Sequence, residues 1–185
     1  MMMSNALLDE EPDAAVMEAR KLVNVPLLGL DIDGVLNGGR DFGRGLDADK
    51  LDFVAAIYEA TGCEIVLTSD RRYSAAGCRW VIGALGERGV DTRTMCRALP
   101  VNVVIDGEMR QDERQRFRWE NCHGIGIRAG RSADWAAALA AEPRTSWVLV
   151  DDDTKHWQDV FWQRLWRTDN TRGLTLLEAR RVIAM

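Results

Sequence analysis

In Leu27-Leu28-Gly29-Leu30-Asp31-Ile32-Asp33-Gly34-Val35-Leu36-Asn37, an apolar run ends on two aspartates one residue apart. Such a run is the signature of a buried parallel strand. Alternate residues of a strand share a face, so Asp31 and Asp33 are expected to point into one place. Like charges at that spacing repel unless a cation lies between them or one of them holds a proton. Gly34 supplies the sharp turn that a strand-to-loop crossing needs. Crowding carboxylates at the mouth of a strand is unfavourable, which points to chemistry rather than packing.

Working outward, residues 27–32 read as a first strand, followed by the glycine-rich loop 38–45 with Arg40 and Arg44. That loop lacks the strand-turn-helix context of a dinucleotide site and reads either as a lid or as a plain connection. Asp47 is suited to cap a helix whose apolar face carries Leu51, Val54, Ala55 and Tyr58 and which stops at Gly62. A second strand at 63–67 ends on Thr68-Ser69-Asp70, and a helix is expected near 75–88. The middle is less regular. Residues 101–105 read as a strand, Asp106-Gly107 as a hairpin turn and 123–128 as a returning strand, together a small β-hairpin insert. Ser132 is placed to cap a helix bearing Trp135 and Leu139. A third core strand at 147–150 delivers Asp151-Asp152-Asp153, of which Asp153 is expected to serve as a helix cap. A tryptophan-rich helix through Trp157, Phe161, Trp162, Leu165 and Trp166 is expected next, with Trp162 and Trp166 on one stripe that could meet a partner. Thr175 and Glu178 form a capping box for the last helix.

Alternating strands and helices imply an α/β, doubly wound (Rossmann-like) parallel sheet with helices on both faces. Ligands in such sheets bind beyond the carboxyl ends of the strands. Asp31/Asp33, Thr68/Ser69 and Asp151/Asp152 all fall there. With 185 residues the chain fits one domain, taken as 25–185, behind an acidic arm at 1–24. Twenty-four basic against 29 acidic residues leave a net charge of −5, which opposes a broad nucleic-acid-binding face but permits a local arginine patch. The four cysteines form no CxxC pair, so a reduced, cytoplasmic context is expected and a zinc site is not. No signal peptide or membrane-spanning run is visible.

An acidic cluster without histidine or cysteine suits a hard cation held by oxygens, Mg²⁺ above all, which shares its sphere with substrate phosphate. The hydroxyls of Thr68 and Ser69 are placed to meet phosphate oxygens. Arg131, with Arg128 behind it, is the expected basic partner. Phosphoryl transfer rests mainly on positioning and charge neutralisation, so this inventory is nearly sufficient.

These segments resemble the haloacid dehalogenase (HAD) superfamily of phosphohydrolases. "LDIDGVLN" is similar to its first motif, "IVLTSDRR" to its second, Arg131 to its basic third and "WVLVDDD" to its acidic fourth. A group of small HAD-domain proteins is closer still, with "VLVDDDTKHW" and "TDNTRGLT" matching its last elements. The resemblance runs in order from about residue 26 to 183 and implies a HAD-like domain with minimal cap. It implies Asp31 as nucleophile, forming an aspartyl-phosphate, and Asp33 as acid and then base. It implies Mg²⁺ held by Asp31, the Asp33 carbonyl, Asp152 and Asp151, with Thr68 and Arg131 on the transferring group. Ser69, Gly34 and Arg72 are the expected substrate contacts. Two positions depart from the pattern. The third motif is usually lysine, whereas the only lysines here are Lys21, Lys50 and Lys155; and the second motif carries Asp70-Arg71-Arg72 where relatives often show an aromatic residue.

The expected activity is Mg²⁺-dependent hydrolysis of a phosphomonoester on a nucleotide, a nucleic-acid end or a small phosphoester. The uncapped site favours bulky substrates, with Arg40, Arg44, Arg71 and Arg72 available for a second phosphate. Two other classes remain: a receiver-like phospho-accepting signalling domain, opposed by the order of the acidic motifs, and a non-catalytic binding module on the HAD fold, left open by the replaced lysine.

Overall fold

The computed structural model describes residues 25–38, 45–73, 75–92, 102–105, 108–111, 127–128, 131–141 and 143–185. The expected arm at 1–24, the glycine loop between residues 39 and 44, the Asp106-Gly107 turn and residues 112–126 lie outside them.

Four parallel strands form the main sheet: β1 (Leu27–Leu30), β2 (Glu64–Leu67), β6 (Trp147–Asp151) and β7 (Leu165–Arg167), in the order β2-β1-β6-β7. Leu28 of β1 lies opposite Ile65 on one side and Val148 on the other. The strand period of two then sorts side chains onto two faces. Leu28, Leu30, Ile65, Leu67, Val148 and Val150 join one buried cluster, with Leu51, Val54 and Ile57 of α1 (Ala48–Thr61), Val81 and Leu85 of α2 (Ala75–Gly86), and Ala179 and Val182 of α4 (Leu176–Ile183). Leu27, Val66 and Leu149 point the other way, toward Trp135 of α3 (Arg131–Ala141), Trp157 and Phe161. Both faces are covered, which is why the strands read as unbroken apolar runs.

Gly29 lies on the second face. A Cβ there would overlap the Leu149 side chain and lie 3.1 Å from both Thr68 Cγ2 and the Trp135 ring, so glycine leaves the room that Trp135 fills. A separate antiparallel sheet, β4-β3-β5, joins β3 (Asn102–Ile105), β4 (Glu108–Gln111) and β5 (Ile127–Arg128). β3 and β5 fall within the expected strands 101–105 and 123–128, whereas β4, directly after the turn, was not expected.

Several local expectations change. The tryptophan-rich segment is not an α-helix. It forms two 3-10 turns, Thr154–His156 and Asp159–Arg164, and then β7. Trp157 and Phe161 are buried beneath the sheet, and Leu165 continues into register with Leu149. The shared Trp162/Trp166 stripe consequently does not form: Trp162 is 52 % exposed, whereas Trp166 packs on the core under the Arg181 guanidinium. Ser132 is not the N-cap of α3, which starts at Arg131; its Oγ instead accepts from the Gln158 N–H. Asp47 occupies the N-cap position of α1, but its carboxylate accepts from the Gly38 N–H rather than from its own helix. Asp153 caps the first 3-10 turn by accepting from the Lys155 N–H, and the Thr175/Glu178 capping box is complete.

Candidate active site

The same parity that sends Gly29, Val66 and Leu149 toward α3 carries Asp31, Thr68 and Asp151 to that side, beyond the ends of β1, β2 and β6. All three are buried, at 1 %, 0 % and 0 % exposure. α3 begins over this spot, so its first residue meets them. Arg131 donates from Nη1 to Asp151 Oδ2 at 2.8 Å and lies 3.1 Å from Asp31 Oδ1, while its Nε is 3.5 Å from Asp70 Oδ1. Asp151 Oδ2 also accepts from the Trp157 indole N–H at 2.9 Å, and Asp151 Oδ1 from the Asp153 N–H. A tryptophan expected only to fill the core thus also orients a carboxylate.

Asp152 turns to the other side of the strand end and lies against Gly34, whose φ of +79° and lack of Cβ are both required; a Cβ there would strike the Asp152 carboxylate. The Gly34 N–H is taken by Asn37 Oδ1, and its carbonyl accepts from Thr168 Oγ1. The expected phosphate contact of Gly34 is thereby replaced, at its N–H, by a bond that shapes the loop. Gly173 and Leu174 brace the same loop from the far end of the chain, with the Leu174 N–H on the Val35 carbonyl.

Carboxylate oxygens of Asp31, Asp151 and Asp152 lie within 4.8 Å of one another. Asp31 Oδ1 has no hydrogen bond, only the ion pair with Arg131. A buried carboxylate oxygen left in this way, in an all-oxygen donor set, fits a hard divalent cation. Burial, and then the neighbouring Asp151, push the Asp31 carboxyl up from 3.8 to about 8 against the opposing pull of Arg131. Burial and Asp151 raise Asp152 as well.

Asp33 is held differently. Burial alone would raise its pKa, but Arg71 (Nε 2.7 Å, Nη2 2.8 Å) and Asn37 (3.0 Å) outweigh it, so the carboxyl stays below its ordinary value. Arg71 was expected only as one of several arginines for a second phosphate, and Asn37 was not singled out. Asn37, four residues after Asp33 across the Gly34 turn, offered a local signal; Arg71 offered none that set it apart from Arg72. Ser69 is buried and accepts from the Arg71 N–H. The side chains of Arg72 and Arg128 lie outside the described residues, as do those of Arg40 and Arg44.

The family model described as "HAD domain in Swiss Army Knife RNA repair proteins" matches residues 27–179. No curated protein and no solved structure matches the chain.

Proposed function

The chain belongs to the family of HAD domains in Swiss Army Knife RNA repair proteins, and on that premise we propose that it is a metal-dependent phosphatase acting on a phosphomonoester, with a nucleic-acid end or nucleotide as substrate. One observation carries the reading: three carboxylates from two distant segments converge within 4.8 Å under the guanidinium of Arg131.

Asp31, Asp151 and Asp152 are the residues that would hold Mg²⁺, with the backbone carbonyl of Asp33 as a further oxygen. Bound there, the ion supplies charge neutralisation for the transferring phosphoryl group. Asp31 attacks phosphorus, the bond to the ester oxygen breaks, and Asp33 gives that oxygen a proton. Water then attacks the aspartyl-phosphate, Asp33 takes a proton from it, and inorganic phosphate leaves with Asp31 restored. Arg131 stabilises the phosphoryl oxygens, and Thr68 and Ser69 line the same end of β2. Because Arg71 and Asn37 keep Asp33 ionised, its turn as a base is prepared in advance. Its turn as an acid requires this grip to loosen and the carboxylate to take up a proton from solvent as substrate enters.

The test is phosphate release from a generic aryl phosphate with and without Mg²⁺. Asp31→Asn is expected to lose on the order of 10³-fold or more in kcat while its circular dichroism is unchanged. Equal rates in the two proteins would remove Asp31 as nucleophile.

A further inference from the structure

Most described guanidinium groups around the strand ends are already committed to carboxylates. Arg131 serves Asp31 and Asp151, Arg71 serves Asp33, and Arg172 lies 3.5 Å from Asp169. Arg167 is different. It ends β7, is exposed, and donates from Nε to the backbone carbonyl of Asp152 at 3.2 Å. Among the described residues no carboxylate pairs with it. Its anchor is the residue whose side chain completes the acidic group, so the guanidinium is tethered beside that group with its Nη donors uncommitted. Those donors suit the oxygens of a phosphate.

The charge balance shows what Arg167 can serve. Three carboxylates against one guanidinium and one divalent cation sum to zero, so the acidic group leaves no surplus positive charge for a second phosphate. A substrate with a second phosphate needs another cation, and among the described residues Arg167 is a guanidinium beside the site with no carboxylate partner. We propose that Arg167 binds the phosphodiester next to the terminal phosphomonoester, and so selects a polynucleotide strand over a lone nucleoside monophosphate. This assignment rests on the phosphatase reading above and adds the residue that recognises the substrate class.

The test is fluorescence anisotropy of a short single-stranded RNA carrying a terminal phosphate, in Mg²⁺, with Asp33→Asn protein, which keeps the three metal carboxylates while slowing turnover of the strand. Adding Arg167→Ala is expected to weaken binding about tenfold and to make log K against log salt shallower by about 0.7, the share of one phosphate contact. Competition by a nucleoside monophosphate should change less than about twofold, since it engages only the acidic group. Arg180→Ala, exposed on α4, should match the parent. Equal strand affinity with and without Arg167, or an equal loss for the mononucleotide, overturns the assignment. If the strand shows the expected pattern while the wild-type protein releases no phosphate from any ester, the phosphatase reading falls and the subsite stands.

Discussion

Arg131 and Arg71 face different carboxylates and serve different steps. Arg131, only 11 % exposed, lies across Asp31 and Asp151 and neutralises charge where phosphate would enter. Lysine, usual at the third motif in the resembling family, offers a point charge, whereas the guanidinium reaches two carboxylates at once. Arg131→Ala should therefore lower kcat about 10²–10³-fold, and Arg131→Lys should recover part of it, measured on the aryl phosphate. If alanine is tolerated, the replaced lysine has no functional heir at this position. Arg71 acts on Asp33 alone, holding its pKa down, so its removal lets that pKa rise. The limb of the pH–rate profile that belongs to Asp33 should move to higher pH in Arg71→Ala, and activity should fall about 10–100-fold, as for other residues that orient a catalytic group. An unmoved limb would show that Asp33 does not titrate in the reaction.

At the level of elements, Gly29 is the position most exposed to test, because side chains of Leu149 on β6, Thr68 just past β2 and Trp135 on α3 crowd the space its Cβ would take. Gly29→Ala forces its methyl into Leu149 and against Trp135. Overpacking of this kind costs about 1–3 kcal/mol; at this chain length the melting temperature should drop by about 3–10 °C. Leu149→Ala in the same protein should lose less than the sum of the two single changes, since it vacates the space the methyl needs. The elements also show where sequence carries its own structure. β1, β2 and β6 are legible because burial on both faces leaves an apolar run, and the acidic residues closing β1 and β6 mark the site without reference to the rest. The last helix is legible because Thr175 and Glu178 satisfy each other locally. The segment 154–167 was not, because its aromatic residues recur at a spacing that fits a helix, while what fixes them is distant: Trp157 on Asp151, and Leu165 beside Leu149. The Arg71–Asp33 pair was hidden for the same reason, as 38 residues separate its partners.

For the molecule as a whole, the acidic group makes stability depend on pH and on metal together. Asp31 titrates near 8 when folded, through burial and then Asp151, and near 3.8 when exposed. Between those values the metal-free folded chain keeps a proton that the unfolded chain has released. Stability without metal therefore falls as pH rises through this window. A divalent cation binds the ionised carboxylates of the folded state, so it relieves the strain where the strain is greatest. At 100 times its Kd a ligand adds about 2.7 kcal/mol, or about 5–10 °C for a chain of this size. Differential scanning calorimetry with and without Mg²⁺ should thus show a gain that is small near pH 6 and grows toward pH 8. Metal-free Asp31→Asn has no proton to lose there and should melt above the wild type at pH 8, with little gain from Mg²⁺. A metal-induced gain of equal size at both pH values, or one retained in Asp31→Asn, would mean that these three carboxylates do not share an ion.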